Sequence, residues 1–116
     1  MNEGRKEVEI WKDIPEYEGR YKVSNLGNIK KLERLVESSN GTKVLRKEKL
    51  LVKALMYKGY ERVKLYKTKK EKNTIFVHKL VAITFLENPN NYKELNHKNG
   101  IKTDNRVQNL EWCSIS

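Results

Sequence analysis

The apolar residues of this chain fall into short runs that alternate with polar ones, and only once, from Val77 to Phe85, does the spacing become helical. Side chains two positions apart share a face of a strand, whereas those three and four apart share a face of a helix. Over Glu61 to Lys67, Val63 and Leu65 thus take one face, leaving Arg62, Lys64 and Tyr66 on the other. Tyr21 and Val23 alternate with Lys22 and Ser24, a turn containing Gly27 follows, and Ile29 and Leu32 resume the apolar side. That pattern predicts a hairpin. Arg34 to Lys49 reads as a mobile loop or as a second hairpin turning at Asn40-Gly41. Leu50 to Met56 is short and apolar, Lys58-Gly59-Tyr60 turns the chain, and Thr74 to Val77 should partner Glu61 to Lys67 across a charged turn at Thr68 to Asn73.

Val77, Leu80, Val81, Thr84 and Phe85 predict a helix over His78 to Leu86 that closes before Asn88-Pro89. A strand ending at Asn96-His97, a long loop from Lys98 to Gln108 and a strand from Asn109 to Cys113 complete the chain. Leu110 and Trp112 should face the core, with Trp11 a second aromatic anchor, and Asp104 to Gln108 should form one helical turn. The expected class is α+β, small antiparallel hairpins with one short helix. A basic β-rich segment, 1–72, is expected to precede a second segment, 73–116.

With 116 residues, 37% of them hydrophobic, the chain can bury one modest core or two small ones. No run is long enough to span a bilayer and the N-terminus lacks an apolar signal core, so the expected setting is cytoplasmic, with no membrane partner. One cysteine and two histidines cannot build a four-ligand structural zinc site.

The net charge of +10 is concentrated: residues 22–72 carry sixteen basic and five acidic side chains, whereas residues 1–21 carry four and six. A positive block is the electrostatic footprint of a polyanion binder, because each cation set against a phosphate releases condensed counterions. A solubilising lysine surface is the competing reading.

The stretches VHKLVAITF, NHKNG and NLEWCS resemble the HNH domain of phage and intron-encoded homing endonucleases. EIWKDIPEYEGRYKVSNLGNIKKL is similar to the modular DNA-binding segment that often precedes it. The resemblance implies the two strands of a ββα-metal motif and a nuclease acting on double-stranded DNA in a bacterial or phage-infected cell. It implies His97 as general base, Asn109 as the amide that orients the His97 ring, and Asn96 as ligand to one divalent ion, Mg²⁺ or Mn²⁺. Asn96 and His97 can serve one site only if the strand bends at Lys98-Asn99-Gly100, since successive residues point to opposite faces.

The resemblance also places DNA contacts around Arg20, Lys22, Ser24, Asn25, Asn28 and Lys30, and the basic block adds Lys31 as a phosphate contact. Alternation adds Arg62, Lys64 and Tyr66, and the loop adds Arg106 as a phosphate contact. His78 reads as a structural residue or a phosphate contact. In the family a helix bearing a further metal ligand follows the second strand; here Ser114-Ile115-Ser116 stands where it should begin, so the expectation is a truncated and poor nuclease. A non-catalytic DNA-binding module derived from such an enzyme, or an RNA-associated basic protein, are the alternatives.

Overall fold

A computed structural model describes residues 7–53 and 56–114. Strands β1 (Trp11–Asp13), β2 (Tyr21–Ser24), β3 (Ile29–Lys31) and β6 (Lys49–Leu50) form an antiparallel sheet in the order β1-β2-β3-β6. Between β3 and β6 the chain leaves this sheet as a hairpin of β4 (Arg34–Glu37) and β5 (Lys43–Arg46). The stretch that could have been a loop is thus an arm, turning through Gly41 at φ 84°. A third hairpin pairs β7 (Arg62–Tyr66) with β8 (Lys72–Phe76) and runs directly into helix α1 (Val77–Phe85). A last hairpin pairs β9 (Glu94–His97) with β10 (Leu110–Cys113), the latter preceded by a 3₁₀ turn at Val107–Asn109. The α+β class stands as expected.

Alternation explains the core. Tyr21, Val23 and Ile29 from β2 and β3 meet Val63 and Leu65 from β7, Val77, Leu80 and Val81 from α1, and Leu110 from β10 in one buried cluster. The helix has no side-chain cap and no acidic residue in its first turn. At nine residues it is too short to persist alone, so its buried stripe holds it in place. Two polar ties lock the layers: the backbone N–H of Tyr66 donates to the Tyr21 hydroxyl at 3.1 Å, and that of Val77 to the Glu61 carbonyl at 2.9 Å.

One expectation, that of two tryptophan core anchors, meets a different arrangement. Trp11 and Trp112 are half-buried and lie outside the cluster; Lys30 Nζ sits 4.3 Å from the Trp11 ring centroid. Leu50 and Val52 are exposed, and Ala54-Leu55 of that apolar run lie outside the described residues. Lys72 and Asn73 both lie in strand β8, and the buried cluster takes residues from both sides of them. Finally, Ile115-Ser116, part of the expected start of a helix, lies outside the described residues. No helix among the described residues is long and apolar enough to cross a membrane.

Candidate functional site: the His97 hairpin and the basic groove

His97 ends β9 opposite Leu110, and the chain turns at once, with the Gly100 N–H bonded to the His97 carbonyl at 2.9 Å. The strand therefore stops before Asn99. Even so, the pleat sends Asn96 and His97 to opposite faces. Asn96 is exposed and its Nδ2 donates to Glu111 Oε1 at 2.9 Å, whereas His97 is 8% exposed. The bend needed to bring both to one site is absent at Asn96.

The His97 ring lies against Tyr60, at 5.7 Å between centroids, and His78, at 5.0 Å edge-on. Its Nε2 stands 2.8 Å from Oδ1 of Asn105, a residue that sequence reasoning did not single out. Asn109, expected to hold the ring, instead braces the loop. Its Oδ1 accepts from the Asn99 N–H at 3.1 Å, and its Nδ2 donates to Asn99 Oδ1 at 2.9 Å and the Asp104 carbonyl at 2.8 Å. Asn109 ends the 3₁₀ turn just before Leu110, the residue registered against His97, and there its amide is taken up by the loop.

Arg106 is engaged too. Its guanidinium grips both oxygens of Asp104 at 2.8 Å and reaches Glu7 Oε1 at 3.0 Å. The Arg106 hydrogen bonds, joined by one from Asn99, hold the Asp104 carboxyl down to about 2. His78 is likewise pushed down, to about 4, first by burial and then by His97 and Lys79. Its Nδ1 is buried with no hydrogen-bond partner, and the lowered pKa favours the neutral ring.

No group of three or more His, Cys, Asp or Glu among the described residues could hold a metal ion. Asn96 offers one amide oxygen on the face away from His97, so the residues described do not make a divalent-ion site beside the imidazole.

The expected DNA contacts separate into two sets. Ser24 is fully buried, its Oγ accepting from the N–H groups of Leu26 and Asn28 at 3.2 and 3.1 Å. Asn25 accepts from the Ile10 N–H at 2.7 Å, and Asn28 donates to Glu9 at 2.7 Å. Lys30 is drawn to Trp11 and to Glu48, 3.5 Å away. These residues build the β2–β3 turn and its sheet. Lys22 lies across from Lys30 on β3, on that same outward face.

In contrast, Arg20, Lys31 and Tyr66 line a groove of about 770 Å³ together with Arg34 and Lys69, with Glu18 the only acid. Cross-strand register stacks like charges beside it, Arg34 against Arg46 and Lys31 against Lys49. Burial first, and then Arg34, Lys49 and Arg46, push the Lys31 ammonium below its ordinary value. Like charges directly opposite one another are destabilising unless an anion joins them. On β7, Lys64 is exposed and the Arg62 guanidinium carbon stands 5.0 Å from the Tyr57 ring centroid.

Residues 9–66 match the model of the NUMOD4 motif. An uncharacterized HNH endonuclease of Acanthamoeba polyphaga mimivirus is 39% identical over 117 residues, covering 96% of this chain and 25% of the relative. The DNA endonuclease I-HmuI of Bacillus phage SP01 is 37% identical over 104 residues, covering 90% of this chain. The solved structure described as DNA binding and cleavage by the HNH homing endonuclease I-HmuI superposes with a TM-score of 0.68 at 35% identity. The chain spans about half the length of the phage relative, 52%, and a quarter of the mimivirus relative, 25%.

Proposed function

The chain belongs to the NUMOD4 motif family, and on that premise we propose that it is an HNH-type homing endonuclease segment that binds double-stranded DNA and carries the general base of phosphodiester hydrolysis. The carrying observation is continuity: one solved HNH homing endonuclease is matched over 90% of this chain at 35% identity. Arg20, Lys31, Arg34 and Lys69 would take DNA phosphates in the groove, where four cations face one acid. Lys64, outward on β7, extends that surface.

His97 is the residue assigned to accept a proton from the attacking water, a task suited to imidazole near neutral pH. Such reactions use a divalent ion, Mg²⁺ or Mn²⁺, to stabilise charge on the phosphate. Asn96, the residue assigned to such an ion, is exposed on the face of the hairpin away from His97, with its amide nitrogen bonded to Glu111. That same observation favours a second reading, a DNA-binding module without its own nuclease activity.

Duplex DNA nicking in Mg²⁺ or Mn²⁺ separates the two. The chain by itself should nick weakly, His97→Ala should remove that activity, and DNA affinity should stay the same. Nicking that survives His97→Ala would contradict the assignment of the base, and preference for RNA over duplex DNA of equal charge would contradict both readings.

A further inference from the structure

Asn105 is 2% exposed and lies between two groups with fixed demands. Its Nδ2 donates to Glu61 Oε1 at 2.9 Å, and its Oδ1 stands 2.8 Å from His97 Nε2. A carboxylate only accepts hydrogen bonds, so the amide must turn its nitrogen to Glu61 and its oxygen to the imidazole. An amide oxygen only accepts in its turn. The proton of the neutral ring therefore sits on Nε2, leaving the lone pair on Nδ1.

The elements that hold Asn105 come from the NUMOD4 segment, residues 9–66. Gly27 presses on it from the β2–β3 turn: a Cβ at Gly27 would lie 3.0 Å from Asn105 Cβ and 3.1 Å from its carbonyl oxygen. Lys53 Nζ binds the Gly27 carbonyl at 3.0 Å and stands 3.9 Å from Glu61. Glu61 is anchored through its own carbonyl to the first N–H of α1.

We infer that Glu61 and Asn105 are positioning residues that set the His97 tautomer, and that the NUMOD4 segment is a structural half of the histidine site as well as a DNA-binding surface. The inference rests on the reading of His97 as the base for its catalytic meaning, but its geometry stands apart from activity. A segment known by its own motif thus decides which imidazole nitrogen is basic.

The test is ¹⁵N-edited imidazole spectroscopy of the full chain at about pH 8, where a histidine ring is ordinarily neutral. His78→Phe assigns the signals, because the chain has two histidines. His97 should show a single Nε2-protonated tautomer. Glu61→Gln, whose carbonyl still accepts from Asn105, should keep it, and Asn105→Asp should keep it by accepting from the ring. Glu61→Ala and Asn105→Ala should give mixed tautomers while the core amide spectrum stays folded. If Asn105→Ala unfolds the protein, the Glu61→Ala and Glu61→Gln pair decides. An Nδ1-protonated ring in the wild type, or a single unchanged tautomer in Glu61→Ala or in folded Asn105→Ala, would overturn the inference. Absence of nicking in every variant with the tautomer behaving as stated would instead remove the nuclease reading alone.

Discussion

Among single residues, His78 and Gly27 carry the sharpest consequences. His78 is held at about 4 against an ordinary 6.5, so the unfolded chain binds more protons between those values. Its contribution is complete above pH 6.5 and is lost progressively as the pH falls toward 4. The groups facing it are His97, Lys79 and Tyr60. Urea midpoints measured across that window should fall with acidification in the wild type and fall less in His78→Phe, which keeps the ring contacts and takes no proton. Equal slopes would mean that the ring is solvated. Gly27 stands at φ 88° against Asn105, so Gly27→Ala adds both backbone strain and a close contact. A loss of about 1–3 kcal/mol in thermal or chemical unfolding is expected.

At the level of elements, periodicity did most of the work, and its failures are physical. The β2–β3 and β7–β8 hairpins and α1 were legible because one face of each is buried, which writes alternation or helical spacing into the sequence. The β4–β5 arm was ambiguous because exposed side chains occupy both of its faces: Leu35, Val44 and Leu45 are all exposed. An arm that buries little should be dispensable for folding. Replacing 36–44 by a short turn should leave the unfolding midpoint near that of the wild type, whereas Leu80→Ala in the core should cost about 2–5 kcal/mol. A collapse of stability on removing the arm would show that the groove wall is also a core wall.

Across the whole molecule, one cluster joins both sequence segments, so residues 1–72 and 73–116 expressed apart are not expected to fold as the chain does. The candidate site was half legible for the same reason. The basic block stands out from charge and His97 from the family resemblance, but Asn105 and Glu61 meet across 44 positions, and no local pattern announces such a pair. Asn109 and Arg106 were visible as polar residues of a turn; that they spend their hydrogen bonds on Asn99 and Asp104 depends on the loop's closure. The groove likewise assembles from a turn, an arm and a hairpin that are adjacent only after folding.

The proposed partner, duplex DNA, gives the most direct test. Affinity for a duplex DNA should be measured as a function of salt for the wild type and for Lys31→Ala/Arg34→Ala. A steep logarithmic dependence is expected, with the double variant binding more weakly on every sequence and its slope reduced by roughly two, one for each phosphate contact removed. Affinity and slope unchanged by the two substitutions, or binding indifferent to salt, would contradict the proposal.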